Sequence, residues 1–191
     1  MRVLSLLLLL WSVPALAFEL EDLQARLAAT PDIAGRFEQT RYLADLDTEL
    51  VSRGRFRYER ATRVIWILET PVDKRLVFTP QDATHLDGTG KDRRRQQAAE
   101  LLLSLLDGDW RALEQRFQIT LAGDAKAWRV DLVPRQQAVR QRLDSIQLAG
   151  GRYLQTLRLR AANDDTLNVT FSDQRPLDAD RPQDGESADG E

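Results

Sequence analysis

The chain has 191 residues, a net charge of −3, 42% hydrophobic residues and no cysteine. That length supports one well-formed domain rather than two. The mild acidity lacks the concentrated basic excess of a nucleic-acid binder, and without cysteine the fold must hold together without disulfides.

The first segment, MRVLSLLLLLWSVPALA, reads as a secretory signal. Arg2 supplies the positive start, Val3 to Val13 the apolar core, and Ala15-Leu16-Ala17 a small-x-small cleavage site. The apolar run falls short of the roughly 20 residues that span a bilayer, so maturation before Phe18 is expected. No cysteine stands there to carry a lipid, and the mature chain is expected to be a soluble exported protein, not a lipoprotein. Next, Leu20, Leu23 and Leu27 form the stripe of an amphipathic helix over 19–29. Glu19, Glu21 and Asp22 suit its first turn, Pro31 stops it, and its leucine face should lie against a sheet.

Three extended segments follow: IAGRFEQTRYL at 33–43, GRFRYERATRVIWILETP at 54–71 and KRLVFT at 74–79. Aromatic and β-branched residues crowd them, and Gly54, Pro71 and Pro80 punctuate them. The middle segment places Phe56, Tyr58 and Arg60 at period-two spacing, then Trp66. Such a face either packs a core or lines a pocket. Asp45, Asp47 and Glu49, in the loop between the first two segments, lack the glycine and bidentate glutamate of a calcium loop and read as solvated. A brief strand at 84–87 holds His85, the only histidine.

From Gly88 the texture changes. Gly88-Thr89-Gly90 is a flexible turn, not a phosphate loop. Lys91 and Arg93-Arg94-Arg95 form a basic cluster, read either as a solvated helix start or as a contact for anionic headgroups or an acidic partner. The helix predicted over 96–106 carries Leu101, Leu102, Leu105 and further apolar residues over an arc of roughly 200°. An ordinary surface helix shows a stripe nearer 100°. The helix is therefore either sunk between layers or caps a hollow. Asp107-Gly108-Asp109 ends it and leads to a short helix at 110–115.

The second half reads as antiparallel strands at 117–122, 127–133, 139–148, 153–161 and 166–172, with Gly150-Gly151 marking a hairpin. Ile119 with Leu121, Val130 with Leu132 and Leu157 with Leu159 alternate with polar neighbours, as in a single sheet with one wet face. About ten strands are expected, and such a sheet curls as twist accumulates. After Pro176 an acidic Pro/Gly-rich tail is expected to stay disordered, giving a signal at 1–17, a domain at 18–175 and a tail at 176–191. No nucleophile elbow, histidine cluster, paired carboxylate site or metal-ligand set stands out. The chain reads as a non-enzyme without metal or cofactor, and a curled sheet capped by a leucine-rich helix reads as a container for apolar cargo.

The order of signal, leucine-striped helix, Phe37-Glu38-Gln39-Thr40, Gly54-Arg55-Phe56-Arg57-Tyr58-Glu59-Arg60 and Trp66 resembles the LolA family of periplasmic outer-membrane lipoprotein carriers. The likeness covers roughly Leu20 to Asp173, nearest to a divergent LolA-related branch, some members of which occur beside aryl-polyene pigment pathways. It implies an α+β, mainly β fold: an incomplete antiparallel β-barrel, LolA/LolB-like, closed by a helical lid. The barrel would enclose a cavity lined by Phe37, Phe56, Tyr58, Trp66, Val77 and the lid residues Leu101, Leu102 and Leu105. By resemblance, Arg60 is the latch that bonds the lid helices. The implied function is to shield the acyl chains of a lipoprotein or related lipid between an inner-membrane extractor and an outer-membrane acceptor, as a monomer. A binding or sensor module for another apolar ligand, such as an aryl-polyene-type lipid, is the alternative. Two departures stand out. Ala61 occupies the place of the proline that usually follows the arginine, and the chain passes from Phe171 into the acidic tail without a further proline-paired strand.

Overall fold

The computed structural model describes residues 18–79 and 110–177. Helix α1 (Leu20–Ala28) leads into β1 (Ile33–Leu43), β2 (Thr48–Glu59), β3 (Arg63–Thr70) and β4 (Lys74–Phe78). Then come α2 (Trp110–Arg116), β5 (Phe117–Gly123), β6 (Trp128–Pro134), the single-turn α3 (Gln137–Arg140), β7 (Leu143–Gly150), β8 (Leu154–Ala161) and β9 (Thr166–Pro176). All nine strands form one antiparallel sheet in the order β4-β3-β2-β1-β9-β8-β7-β6-β5. The sheet is curved and does not close, so the expected incomplete barrel is what forms.

Alternation along the strands decides which face is buried. The inner side carries Phe37 on β1, Phe56 and Tyr58 on β2, Val64 and Trp66 on β3, Val130 and Leu132 on β6, Ile146 and Leu148 on β7, and Val169 and Phe171 on β9. The outer side carries charge. Glu69 on β3 bridges Arg36 and Arg55 across the sheet, and Arg53 reaches Glu38 at 2.7 Å. Among the described residues, α1 and α2 pack on the inner face. The backbone N–H of Glu19 donates to Asp22 at 2.9 Å to fix the start of α1, and Leu23 and Leu27 are buried in the core cluster. Trp110 and Leu113 bring α2 into the same cluster. Gly54 is required where β2 crosses β3, because a Cβ there would collide with the carbonyl of Ile67.

Four boundaries differ from the sequence reading. The segment 54–71 is two strands, reversed at Arg60-Ala61-Thr62 with Ala61 at φ +52. β2 starts at Thr48, because a 3-10 turn over Ala44–Leu46 and a left-handed Asp47 reverse the chain in fewer residues than a solvated loop needs. Asp47 is anchored by the Tyr42 hydroxyl at 2.9 Å, which holds the phenol's pKa above its usual value. Residues 137–140 form a helical turn before β7 instead of extending it. Finally, β9 continues past Phe171 to Pro176, pairing Ala34 with Arg175 and Ile33 with Pro176. The predicted strand at 84–87, the basic cluster and the 96–106 helix lie outside the described residues, as do the signal segment and the tail beyond 177.

Candidate functional site: an apolar pocket beneath the first helix

The pocket lies where α1, the ends of β2 and β3, the β7–β8 turn and the last residues of β9 converge. Its floor is aromatic: Phe56, Trp66 and Phe171 border it, with Tyr58 and Val64 beside them. Phe56 and Trp66 each meet Phe171 nearly edge-on, at centroid distances of 5.2 and 5.9 Å. Phe37 sits just behind, its ring 3.9 Å from that of Trp66. Edge-to-face packing sets the positive rim of one ring against the negative face of another, and each such pair adds about 1 kcal/mol beyond burial. Leu27 and Thr30 of α1 and its C-terminal extension form the roof, and Trp128, Leu148, Tyr153 and Leu154 form the far wall. Gly150 is needed in that wall, since a Cβ would press on the Trp128 ring at 2.7 Å. The Trp128 indole N–H is satisfied by the carbonyl of Gly151 at 2.9 Å. The cavity volume is about 30 Å³.

Arg60 holds the roof. It stands in the β2–β3 turn, not on the aromatic face, and its guanidinium donates to the carbonyls of Leu27 (2.9 Å) and Thr30 (2.9 Å from Nε, with a second bond from an amino group). These carbonyls belong to the end of α1, where the helix leaves acceptors unmatched and the dipole favours a cation. The Arg60 backbone N–H also donates to Asp32 at 2.8 Å, and the Asp32 carbonyl accepts from Leu177 at 2.9 Å. Arg26 fastens the other side, donating to the carbonyls of Ala125 and Gly151. Two arginines thus pin one helix across the mouth of the sheet.

The predicted site residues separate into three groups. Phe56, Tyr58 and Trp66 line the pocket, and Phe37 supports it from behind. Val77 does not belong to it. Its neighbours Leu76 and Phe78 pack inward, so Val77 lies on the outer face opposite Ile65 and is 43% exposed. Leu101, Leu102 and Leu105 fall outside the described residues. Arg60 does bond helix-end carbonyls, and the helix concerned is α1. Trp128, Tyr153, Phe171 and Gln174 complete the wall. Trp128 pairs with Gly150 between β6 and β7, and Gln174 turns to the pocket only because the β1–β9 register shifts beyond Ser172, where Asp173 is left-handed, so alternation from Val169 and Phe171 does not point to it.

The family model for the outer membrane lipoprotein carrier protein LolA matches residues 29–181. The chain belongs to the LolA family. Its matched region runs from the end of α1 through β9, so it contains the pocket floor and Arg60. Among solved structures, a chain of the Pseudomonas aeruginosa MucA/MucB complex superposes with a TM-score of 0.51 at 13% identity, covering 84% of this chain and 59% of that one. The chain therefore spans less than two thirds of that relative. A LolA superfamily protein from Nitrosomonas europaea aligns at a TM-score of 0.42 and 10% identity, over 85% of this chain and 95% of the other. A DUF1329 family protein from Desulfovibrio piger aligns at 0.45 and 10%, over 85% and 92%. No curated protein sequence matches the chain. Among the described residues no helix is long and apolar enough to cross a membrane.

Proposed function

We propose that this LolA-family protein carries acyl chains of a lipoprotein or related lipid through the periplasm, sheltering them between α1 and the inner face of the sheet. The supporting observation is the apolar pocket whose roof is a helix pinned by two arginines. Each methylene removed from water is worth about 0.8 kcal/mol, so a long chain crossing an aqueous compartment needs such shelter. A cavity of about 30 Å³ has room for a methyl group or two. Cargo therefore enters by parting α1 from the sheet, and reclosure of Leu23 and Leu27 over the empty floor keeps binding reversible.

Arg60 is the latch in this scheme. Its bonds to Leu27 and Thr30 exist when the roof is down and are given up when it lifts. Loading by an inner-membrane extractor, hand-over to an outer-membrane acceptor, and action as a signal-cleaved monomer belong to the same proposal. The test uses a pyrene-labelled decanoyl ester and stopped-flow fluorescence. Arg60→Leu is expected to load the probe and release it about tenfold faster, since a hydrogen bond to a charged group contributes on the order of 1.5–3 kcal/mol. Wild-type rates in that variant would remove Arg60 from the mechanism. A wild-type protein that takes up no probe would overturn the carrier function itself.

A second reading, a module that binds an apolar ligand and signals it to a partner protein, is supported by the fold likeness to a chain of a two-protein complex. Co-purification of one stoichiometric protein partner, in place of lipid, would favour it.

A further inference from the structure

The pocket is greasy but not uniformly so. Thr30, Tyr153 and Gln174 bring polar side chains to its lining. Two of them are engaged: the Gln174 amide donates to the Leu154 carbonyl at 2.7 Å, and the Thr30 hydroxyl is directed at the Arg26 carbonyl at 3.5 Å. The third is not. The Tyr153 hydroxyl is buried and has no hydrogen-bond partner among the described residues. A phenol in that position has lost its water without replacement, which disfavours the folded state. Buried polar atoms are nearly always paired, so an orphan needs a reason. Phenylalanine would fill the same wall without this cost. The ring is held in place by the Arg152 guanidinium, 5.2 Å from its centroid, and by the turn that begins at Gly150.

We propose that Tyr153 is the pocket's polar recognition residue, and that its hydroxyl donates a hydrogen bond to the carbonyl oxygen of an acyl ester or amide. This rests on the carrier reading and narrows it. A phenol is a neutral donor, suited to a neutral acceptor. Among the described residues no arginine or lysine lines the pocket to balance a free carboxylate, and an unpaired anion among these rings would be strongly disfavoured. The ligand class is therefore a fatty chain still joined to its carrier group, not a free fatty acid or a bare hydrocarbon. Thr30, just past the end of α1, Tyr153, just before β8, and Gln174, near the end of β9, are the polar residues of an otherwise apolar lining.

The experiment measures displacement of the uncharged dye N-phenyl-1-naphthylamine by methyl decanoate, N-methyldecanamide and dodecane, on the full chain and on Tyr153→Phe. The wild type is expected to bind at least one carbonyl probe about tenfold more tightly than dodecane. Tyr153→Phe should abolish that preference, bringing the carbonyl probes to the affinity of dodecane. Preference for the ester assigns O-acyl cargo, and preference for the amide assigns N-acyl cargo. Dodecane binding as tightly as both carbonyl probes, or a preference that survives in Tyr153→Phe, overturns the proposal and leaves the carrier reading standing. Failure of all three probes to displace the dye from the wild type overturns both. Thermal melting gives a second readout without ligand. The variant, relieved of an orphaned hydroxyl, should melt no lower than the wild type, and a lower melting temperature would reveal a protein partner and overturn the assignment.

Discussion

The two flanks of the sheet bury their inner faces by different means. Around β1, β2, β3 and β9 the largest buried side chains are rings, Phe37, Phe56, Tyr58, Trp66 and Phe171, beside the smaller Ile33, Val64 and Val169. Across β6 and β7 they are mostly branched aliphatics: Val130, Leu132, Ile146 and Leu148. Branched side chains interdigitate and fill space to near-crystalline density. Flat rings meeting edge to face are rigid, and leave gaps at their corners that no neighbouring methyl can reach. The pocket follows this difference. Phe56, Trp66 and Phe171 all border it, whereas Leu148 is the sole member of the aliphatic four that does. The aliphatic flank is a core, and the aromatic flank is a core with room at its edge.

The strongest test of that contrast truncates one residue on each side. Phe171→Ala and Leu132→Ala should each lose about 3 kcal/mol in chemical denaturation, since both side chains are buried. Only Phe171→Ala should change uptake of an acyl probe, because only it widens the pocket. Equal effects on uptake would erase the functional distinction between the flanks. A smaller effect is expected behind the aromatic flank, on the outer face. There Glu69→Gln removes the shared partner of Arg36 and Arg55 and should cost less than about 1 kcal/mol, diminishing with added salt. A larger, salt-independent loss would mean that the outer charges help set the curvature of the aromatic flank.

The smallest expected change lies at the tip of the β5–β6 hairpin. Asp124 accepts from the backbone N–H groups of Lys126 at 2.7 Å and Ala127 at 3.0 Å, which lowers its carboxyl pKa below the ordinary value. A folded-state pKa that is depressed gives stability above the unfolded value, lost as pH falls through the folded one. Asp124→Ala should therefore melt slightly below the wild type near neutrality, and the difference should close on acidification below about pH 4. A gap that persists at low pH would show that the turn depends on side-chain packing and not on the ionised carboxylate.

Much of this arrangement was legible in the chain because strand alternation is a local property. Phe56, Tyr58 and Trp66 reveal their common face by spacing alone, and Leu23 and Leu27 mark the buried stripe of α1. Phase is harder to read in KRLVF, where three apolar residues in a row hide which is inward, and Val77 belongs to the outer face and not to the cavity expected for it. The break at Arg60-Ala61-Thr62 carries no glycine, proline or asparagine. Ala61 adopts a left-handed conformation that its side chain seldom favours, and no propensity would have marked it. The far wall of the pocket depends on which distant strands become neighbours. That is set by the β1–β9 pairing, so Trp128, Tyr153 and Gln174 could not be gathered from spacing. Their packing against the helix end held by Arg60 is a property of the assembled sheet.

The same pairing has a consequence for how the protein comes to exist. β1, its earliest strand, zips along β9, its latest, at the middle of the sheet. The hairpins on either side close over short stretches and can form as soon as their residues are available. The central seam needs two segments more than a hundred residues apart, and such long-range closure is the slow part of folding. A chain emerging amino end first from the ribosome would hold β1 with one edge unpaired until β9 arrived. Phe37 would wait, uncovered by Phe171, for the whole of that interval.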